Sequence, residues 1–132
     1  MKTLIVEDDF AGQLLLKKFF SKFGEVVLAE HGGEAIAAFL ESIEKNSPFD
    51  LICLDIMMPI MDGQTALKRI RAIEIEKKIP VENHIKVIMT TALDDPTNIR
   101  DSYVDGNATS YITKPVNILM LKQLLQQLGF TL

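Results

Sequence analysis

Cysteine is almost absent from this chain. Cys53 stands alone, so no intrachain disulfide can form. It falls in the apolar run Leu51-Ile52-Cys53-Leu54, which reads as a buried, inert thiol in a reducing compartment. Long hydrophobic runs are missing too. The opening Leu4-Ile5-Val6 is cut short by Glu7, Asp8 and Asp9, which argues against a signal peptide. Nowhere does the chain approach the ~20 apolar residues of a membrane span. A cytoplasmic protein with no membrane partner is expected. Positive charge is in short supply, with 14 Lys and Arg against 18 Asp and Glu and a net charge of -4. Nucleic-acid binding needs clustered Lys and Arg, so no nucleic-acid partner is expected. The phosphate-cradling motifs G-x-x-x-x-G-K-[ST] and G-x-G-x-x-G do not occur, and an acidic first loop would repel phosphate unless a metal intervened. There is no repeat, low-complexity tract or composition break. The 132 residues read as one domain, 1–132, with no output segment.

What is present is a regular alternation. Leu4-Ile5-Val6 is followed by a helical pattern over 13–23, with Leu14, Leu15, Phe19 and Phe23 at helical spacing and Gly24 as a stop. Val26-Val27-Leu28 reads as a second strand, and Gly32-Gly33 leads into a helix over 34–44. Pro48 precedes a third strand, 50–55. Pro59 and Gly63 bracket a loop before a helix carrying Ala66, Leu67, Ile70 and Ile73. The stretch 74–84 is polar and reads as a longer connection; 85–89 is a fourth strand. Asp95-Pro96 opens a fourth helix that ends at Gly106, with a capping Asp before a first-turn Pro. Ser110-Tyr111-Ile112 is a fifth strand, and Asn117 caps a last helix ending at Gly129. Five strand-helix repeats imply an α/β fold, a doubly wound parallel sheet with helices on both faces. Sites in such sheets lie beyond the carboxyl ends of the strands.

Chemistry-bearing residues fall at those ends. Glu7-Asp8-Asp9 follow the first strand, Asp55 ends the third, Thr90-Thr91 end the fourth, and Thr113-Lys114-Pro115 follow the fifth. Each has an ordinary reading by itself. An acidic pair favours a helix dipole, a strand-end threonine reflects β-propensity, a lysine is a solvated charge, and Tyr111 is a half-buried strand aromatic. Their joint placement carries the functional reading. Clustered carboxylates repel unless a cation intervenes. Asp8, Asp9 and Asp55 suit magnesium, with manganese able to substitute, better than zinc, for which no His or Cys is near. With the metal in place, Asp55 becomes a carboxylate nucleophile suited to phosphoryl transfer. Lys114 and the Thr91 hydroxyl would complete neutralisation of the phosphoryl oxygens.

At these motifs the chain resembles the receiver domain of two-component response regulators, in its stand-alone chemotaxis type. The matching segments are Leu4-Ile5-Val6-Glu7-Asp8-Asp9, the run from Asp55 through Met57, Met58, Pro59 and Met61 to Asp62-Gly63, Thr90-Thr91-Ala92, and Tyr111-Ile112-Thr113-Lys114-Pro115. The resemblance implies a flavodoxin-like strand order 2-1-3-4-5, an order known from the chemotaxis protein of that family. It implies Asp55 as the acceptor of a phosphoryl group from a phosphohistidine of a sensor kinase or phosphotransfer protein. It implies magnesium on Asp8, Asp9, Asp55 and the Met57 carbonyl, a cis Lys114-Pro115 peptide, and a switch pair of Thr91 and Tyr111. The readout face would comprise the fourth helix, fifth strand and fifth helix, engaging a downstream protein as a monomer or a weak phosphorylation-linked dimer. Such a protein catalyses only its own phosphorylation and dephosphorylation. Met57, Ala92 and Leu93 occupy positions that tune donor access and loss of the phosphoryl group. Apolar Met57 and Leu93 imply a long-lived phosphoaspartate.

Three rival readings meet the same residues. An aspartyl-nucleophile phosphatase of the haloacid dehalogenase type needs an Asp two residues after the nucleophile, where Met57 stands. A nucleotide or flavin binder lacks its glycine loop. A degenerate receiver acting only as an interaction module is disfavoured by the intact acids, acceptor, hydroxyl and lysine. His31 and His84 read as surface residues, and Met57, Met58 and Met61 as packing residues. In the last helix Ile118, Leu121, Leu125 and Leu128 form a core stripe, which Met120 and Leu124 widen toward Tyr111.

Overall fold

The computed structural model describes residues 1–58, 60–91 and 108–132. Strands β1 (Thr3–Val6), β2 (Val26–Ala29), β3 (Leu51–Asp55), β4 (Lys86–Thr91) and β5 (Ser110–Thr113) form one parallel sheet in the order β2-β1-β3-β4-β5. Helices α1 (Phe10–Phe20), α2 (Gly32–Glu44), α3 (Gly63–Glu76) and α4 (Ile118–Gln127) cover its faces. The helix expected at 95–106 falls outside the described residues, so the fifth helix of the sequence reading is α4 here.

Alternation along the strands builds two cores. Leu4, Val6, Ile52, Leu54, Val87 and Met89 face α2 and α3, meeting Ala35, Phe39, Leu67 and Ile70. Ile5, Leu51, Cys53, Ile88 and Ile112 face α1 and α4, meeting Leu16, Phe19, Phe20, Leu121 and Leu125. The central strands are buried on both sides, as a parallel sheet requires. Cys53 is buried, and burial pushes its thiol up to about 12, which keeps it protonated. None of the described helices is long and apolar enough to cross a membrane.

Three local readings change. Helix α1 begins at Phe10, three residues before the expected start, because the Asp9 carboxylate accepts from the Gly12 amide at 2.9 Å and caps the first turn. Its buried stripe is Leu16, Phe19 and Phe20, while Leu14 and Leu15 are exposed. Helix α3 continues to Glu76, so the stretch 74–84 is not wholly a polar connection. Glu74 is buried within it, bonded by Arg71 Nη1 at 2.8 Å and by the Ile85 amide at 2.6 Å. The histidines also do more than face solvent. His31 caps α2 by accepting from the Glu34 amide at 3.3 Å, and half-buried His84 lies with Nε2 3.0 Å from the Ile79 carbonyl.

Candidate functional site

The carboxyl ends of β1, β3, β4 and β5 meet at one sheet edge. Register pairs Val6 with Leu54 and Asp55 with Thr90, which brings the residue after β1 beside the last residue of β3. Carboxylate oxygens of Glu7, Asp8 and Asp55 all lie within 4.8 Å of one another. Glu7 and Asp55 are buried; Asp8 is exposed. Lys114 Nζ reaches over them, donating to Glu7 Oε1 at 2.9 Å, Glu7 Oε2 at 3.1 Å and Asp55 Oδ2 at 2.9 Å. Asp55 Oδ1 accepts from the Met57 amide at 3.2 Å. Gly63 closes the β3–α3 turn, since a β-carbon there would lie 2.2 Å from the Asp55 carbonyl oxygen.

Lys114 is placed by backbone as well as by charge. Its amide donates to the Thr91 carbonyl at 2.7 Å, and its peptide bond to Pro115 is cis. Thr91 is buried at the end of β4, and Tyr111 on β5 is 38% exposed. Burial first, and the Asp55 carboxyl second, push Glu7 up to about 7; Lys114 opposes them. For Lys114, burial works against the charge, but bonds to Glu7 and Asp55 outweigh it and hold the ammonium above its usual range.

The sequence reading took Asp8 and Asp9 as the acidic pair. The structure pairs Glu7 with Asp8 instead and leaves Asp9 outside the group, its carboxylate spent on capping α1. Glu7 was missed as a site residue. Strand alternation offered a signal, because Ile5 and Glu7 belong to the same face as Cys53 and Asp55. Gln13 was missed as well: its Nε2 donates to the Glu7 carbonyl at 2.5 Å and pins the turn. Met57 does not pack; its side chain is 64% exposed, whereas Met58 and Met61 pack against the core. Ile60 is 86% exposed with φ 70°, a backbone region that costs a β-branched residue about 1–2 kcal/mol. Ala92 and Leu93 lie outside the described residues.

The raised Glu7 carboxyl has two consequences for pH. A cation must displace its proton, so divalent-cation affinity should rise about tenfold per pH unit below 7 and flatten above it. Calorimetric titration with Mn2+ across that range checks this; a flat profile would contradict it. Without cation, the folded chain holds this proton more tightly than the unfolded chain. Glu7 therefore lowers stability progressively as pH rises from 4.5 to about 7.

This sheet, with its acids at one edge and a lysine across them, defines a class. The chain belongs to the response regulator receiver domain family, whose model matches residues 3–126, and is a receiver domain of the two-component phosphorelay kind. Among its relatives, response regulator PleD of Caulobacter vibrioides is 33% identical over 121 residues, covering 91% of this chain and 24% of PleD. Hybrid signal transduction histidine kinase I of Dictyostelium discoideum is 31% identical over 125 residues, covering 94% of this chain and 7% of that protein. The chain thus spans a quarter or less of the length of these relatives. Among solved structures, the complex of the Saccharomyces cerevisiae histidine phosphotransfer signaling protein Ypd1 with the receiver domain of its downstream response regulator Ssk1 matches with a TM-score of 0.80. Identity there is 29%, covering 98% of this chain and 88% of the matched one. A CheY-like receiver domain protein from Methanospirillum hungatei matches with a TM-score of 0.70 at 26% identity, covering 96% and 92%.

Proposed function

We propose that Asp55 accepts a phosphoryl group from a phosphohistidine of a sensor kinase or phosphotransfer protein, and that the phosphorylated chain signals by binding another protein. One observation carries this reading: Lys114 Nζ lies 2.9 Å from Asp55 Oδ2 within a cluster of three carboxylates. An Asp55 oxygen attacks the phosphorus, the P–N bond breaks, and the imidazole leaves as its nitrogen is protonated. Lys114 faces the oxygens that gain charge, and the Asp55 carboxylate is held in place through Oδ1 by the Met57 amide.

The residues present fit magnesium. Glu7, Asp8 and Asp55 offer hard oxygen ligands, and the Met57 carbonyl is a further donor of the same kind. When bound, magnesium supplies a Lewis acid that neutralises the phosphoryl oxygens. Thr91 then serves as the hydroxyl that follows the phosphoryl group, and half-exposed Tyr111 as the ring that turns inward. Tyr111, Met120 and Leu124 line one cleft on β5 and α4, which supports this face as the surface for a downstream protein. The exposed apolar side chains Phe10, Met57 and Ile60 follow β1 and β3 at the acceptor edge and favour a protein donor over a small phosphoramidate.

Beryllium fluoride with magnesium tests the reading. It should bind with one-to-one stoichiometry and shift the resonances of Thr91 and Tyr111, as an aspartyl phosphate would. No binding, or binding without those shifts, would remove the switch. The lifetime follows from Met57, whose thioether cannot orient an attacking water as an amide can. Met57→Asn should shorten the phosphoaspartate half-life by about tenfold. Phosphate-release kinetics read this, and unchanged or slower hydrolysis would contradict it.

A further inference from the structure

Glycine in a helical turn lowers helix stability relative to alanine, so a glycine there has a reason to be found. Gly12 is the third residue of α1 and lies directly against Glu7. A β-carbon built on it would lie 3.0 Å from Glu7 Oε1 and 3.2 Å from both Cδ and Cγ. Those separations are too short for ordinary contact, so one of the two groups would have to give way. Neither is free to do so at no cost. The Gly12 amide is bonded to Asp9, which fixes the helix start, and Glu7 is buried with both oxygens on Lys114. Gln13, the next residue, holds the Glu7 carbonyl. The first turn of α1 therefore grips the Glu7 backbone with one residue and leaves room for its side chain with another. Gly12 and Glu7 also share the wall of a cleft of about 230 Å³ between α1 and Lys114-Pro115-Val116.

We infer that Gly12 is a positioning residue for the cation site: its missing side chain is the space that lets Glu7 place its carboxylate beside Asp55. This inference rests on the reading that Glu7, Asp8 and Asp55 hold a divalent cation. It predicts a coupling between positions 12 and 7. An alanine at 12 pushes the Glu7 carboxylate away from its partners. With alanine at 7, the Cγ, Cδ and Oε1 atoms that the new methyl group would meet are gone, and the alanine at 12 becomes harmless.

The test is a double-mutant cycle on the whole chain with Mn2+ as the probe, at a pH above the range in which Glu7 titrates. Gly12→Ala should weaken Mn2+ binding about tenfold, as the loss of a ligand-orienting contact typically does. In a Glu7→Ala background, which lacks the atoms the new methyl group would meet, the same alanine should change affinity by no more than about twofold. Far-ultraviolet circular dichroism should show α1 intact throughout. The Glu7 carboxyl carbon resonance, read without cation, should move in Gly12→Ala. Wild-type affinity in Gly12→Ala would overturn the inference. So would an equal loss in both backgrounds, which would assign Gly12 a general role in the helix. If the wild-type chain bound no Mn2+ while the carbon resonance still moved, the cation reading would fail and the packing of Gly12 on Glu7 would stand.

Discussion

Lys114→Met is expected to slow phosphoryl uptake by Asp55 at least about a hundredfold while tightening divalent-cation binding, the rate loss being typical of deleting one group aimed at developing charge. The two signs differ because Lys114 has two relations to the same cluster. Toward an incoming phosphoryl group it is a positive partner 2.9 Å from Asp55. Toward a cation it is a like charge in contact with two of the three carboxylates. Methionine keeps much of the aliphatic volume and removes the charge. Because Lys114 also lowers the Glu7 carboxyl, its removal moves Glu7 titration to still higher pH. The cation titration therefore has to be read well above neutrality. Rates of acyl-phosphate formation, set beside Mn2+ affinity on the same protein, decide the matter. A parallel fall of both quantities would mean that Lys114 acts by holding the fold together.

Asp55→Asn should abolish phosphoryl incorporation, measured as the loss of a hydroxylamine-sensitive mass increment. An amide nitrogen is no nucleophile for phosphorus, and among the described residues Glu7 is the other buried carboxylate bonded to the lysine. Residual incorporation would place the acceptor elsewhere, with Glu7 the first residue to examine. The same variant should flatten the fall in stability between pH 4.5 and about 7, because the Asp55 carboxyl is one of the causes that raise Glu7. Burial also raises Glu7, so the slope should shrink without vanishing. Thermal midpoints at several pH values, taken without cation, read this directly.

The sheet was legible because its strands are short apolar runs set between polar turns, and a parallel sheet buries such runs on both faces. The place of Asp55 in the acidic cluster was legible because it ends one of those runs. In the acidic loop the expected pair, Asp8 and Asp9, differs by one residue from the Glu7 and Asp8 that the structure groups with Asp55. Three consecutive acids offer no contrast of polarity, so composition cannot say which one points inward. Alternation from Ile5 assigns Glu7, and the capping geometry three residues before Gly12 assigns Asp9 to the helix. Glu74 failed for the opposite reason. The spacing Leu67, Ile70, Glu74 places it on the buried stripe of α3, but a charge there reads as solvent-facing until Arg71 and the Ile85 amide are seen to meet it. In α1 the run Leu14-Leu15-Leu16 fits several helical phases, and the partners across the core select Leu16. Tyr111 and Thr91 were assigned roles through resemblance, since a strand aromatic and a strand-end threonine carry no signal of motion.

The hydrogen bond from the Lys114 amide to the Thr91 carbonyl links the two residues proposed to face the phosphoryl oxygens. One approaches with an ammonium and the other with a hydroxyl, but their backbones are joined in series at 2.7 Å. A phosphoryl group drawing on either residue would thereby draw on the other. The ends of β4 and β5 therefore form a single lever with two handles. Its load is β5 itself, where Tyr111 stands two residues before Thr113 and three before Lys114. In the proposed switch, a phosphoryl group held by Lys114 alone would still draw on the strand that carries Tyr111.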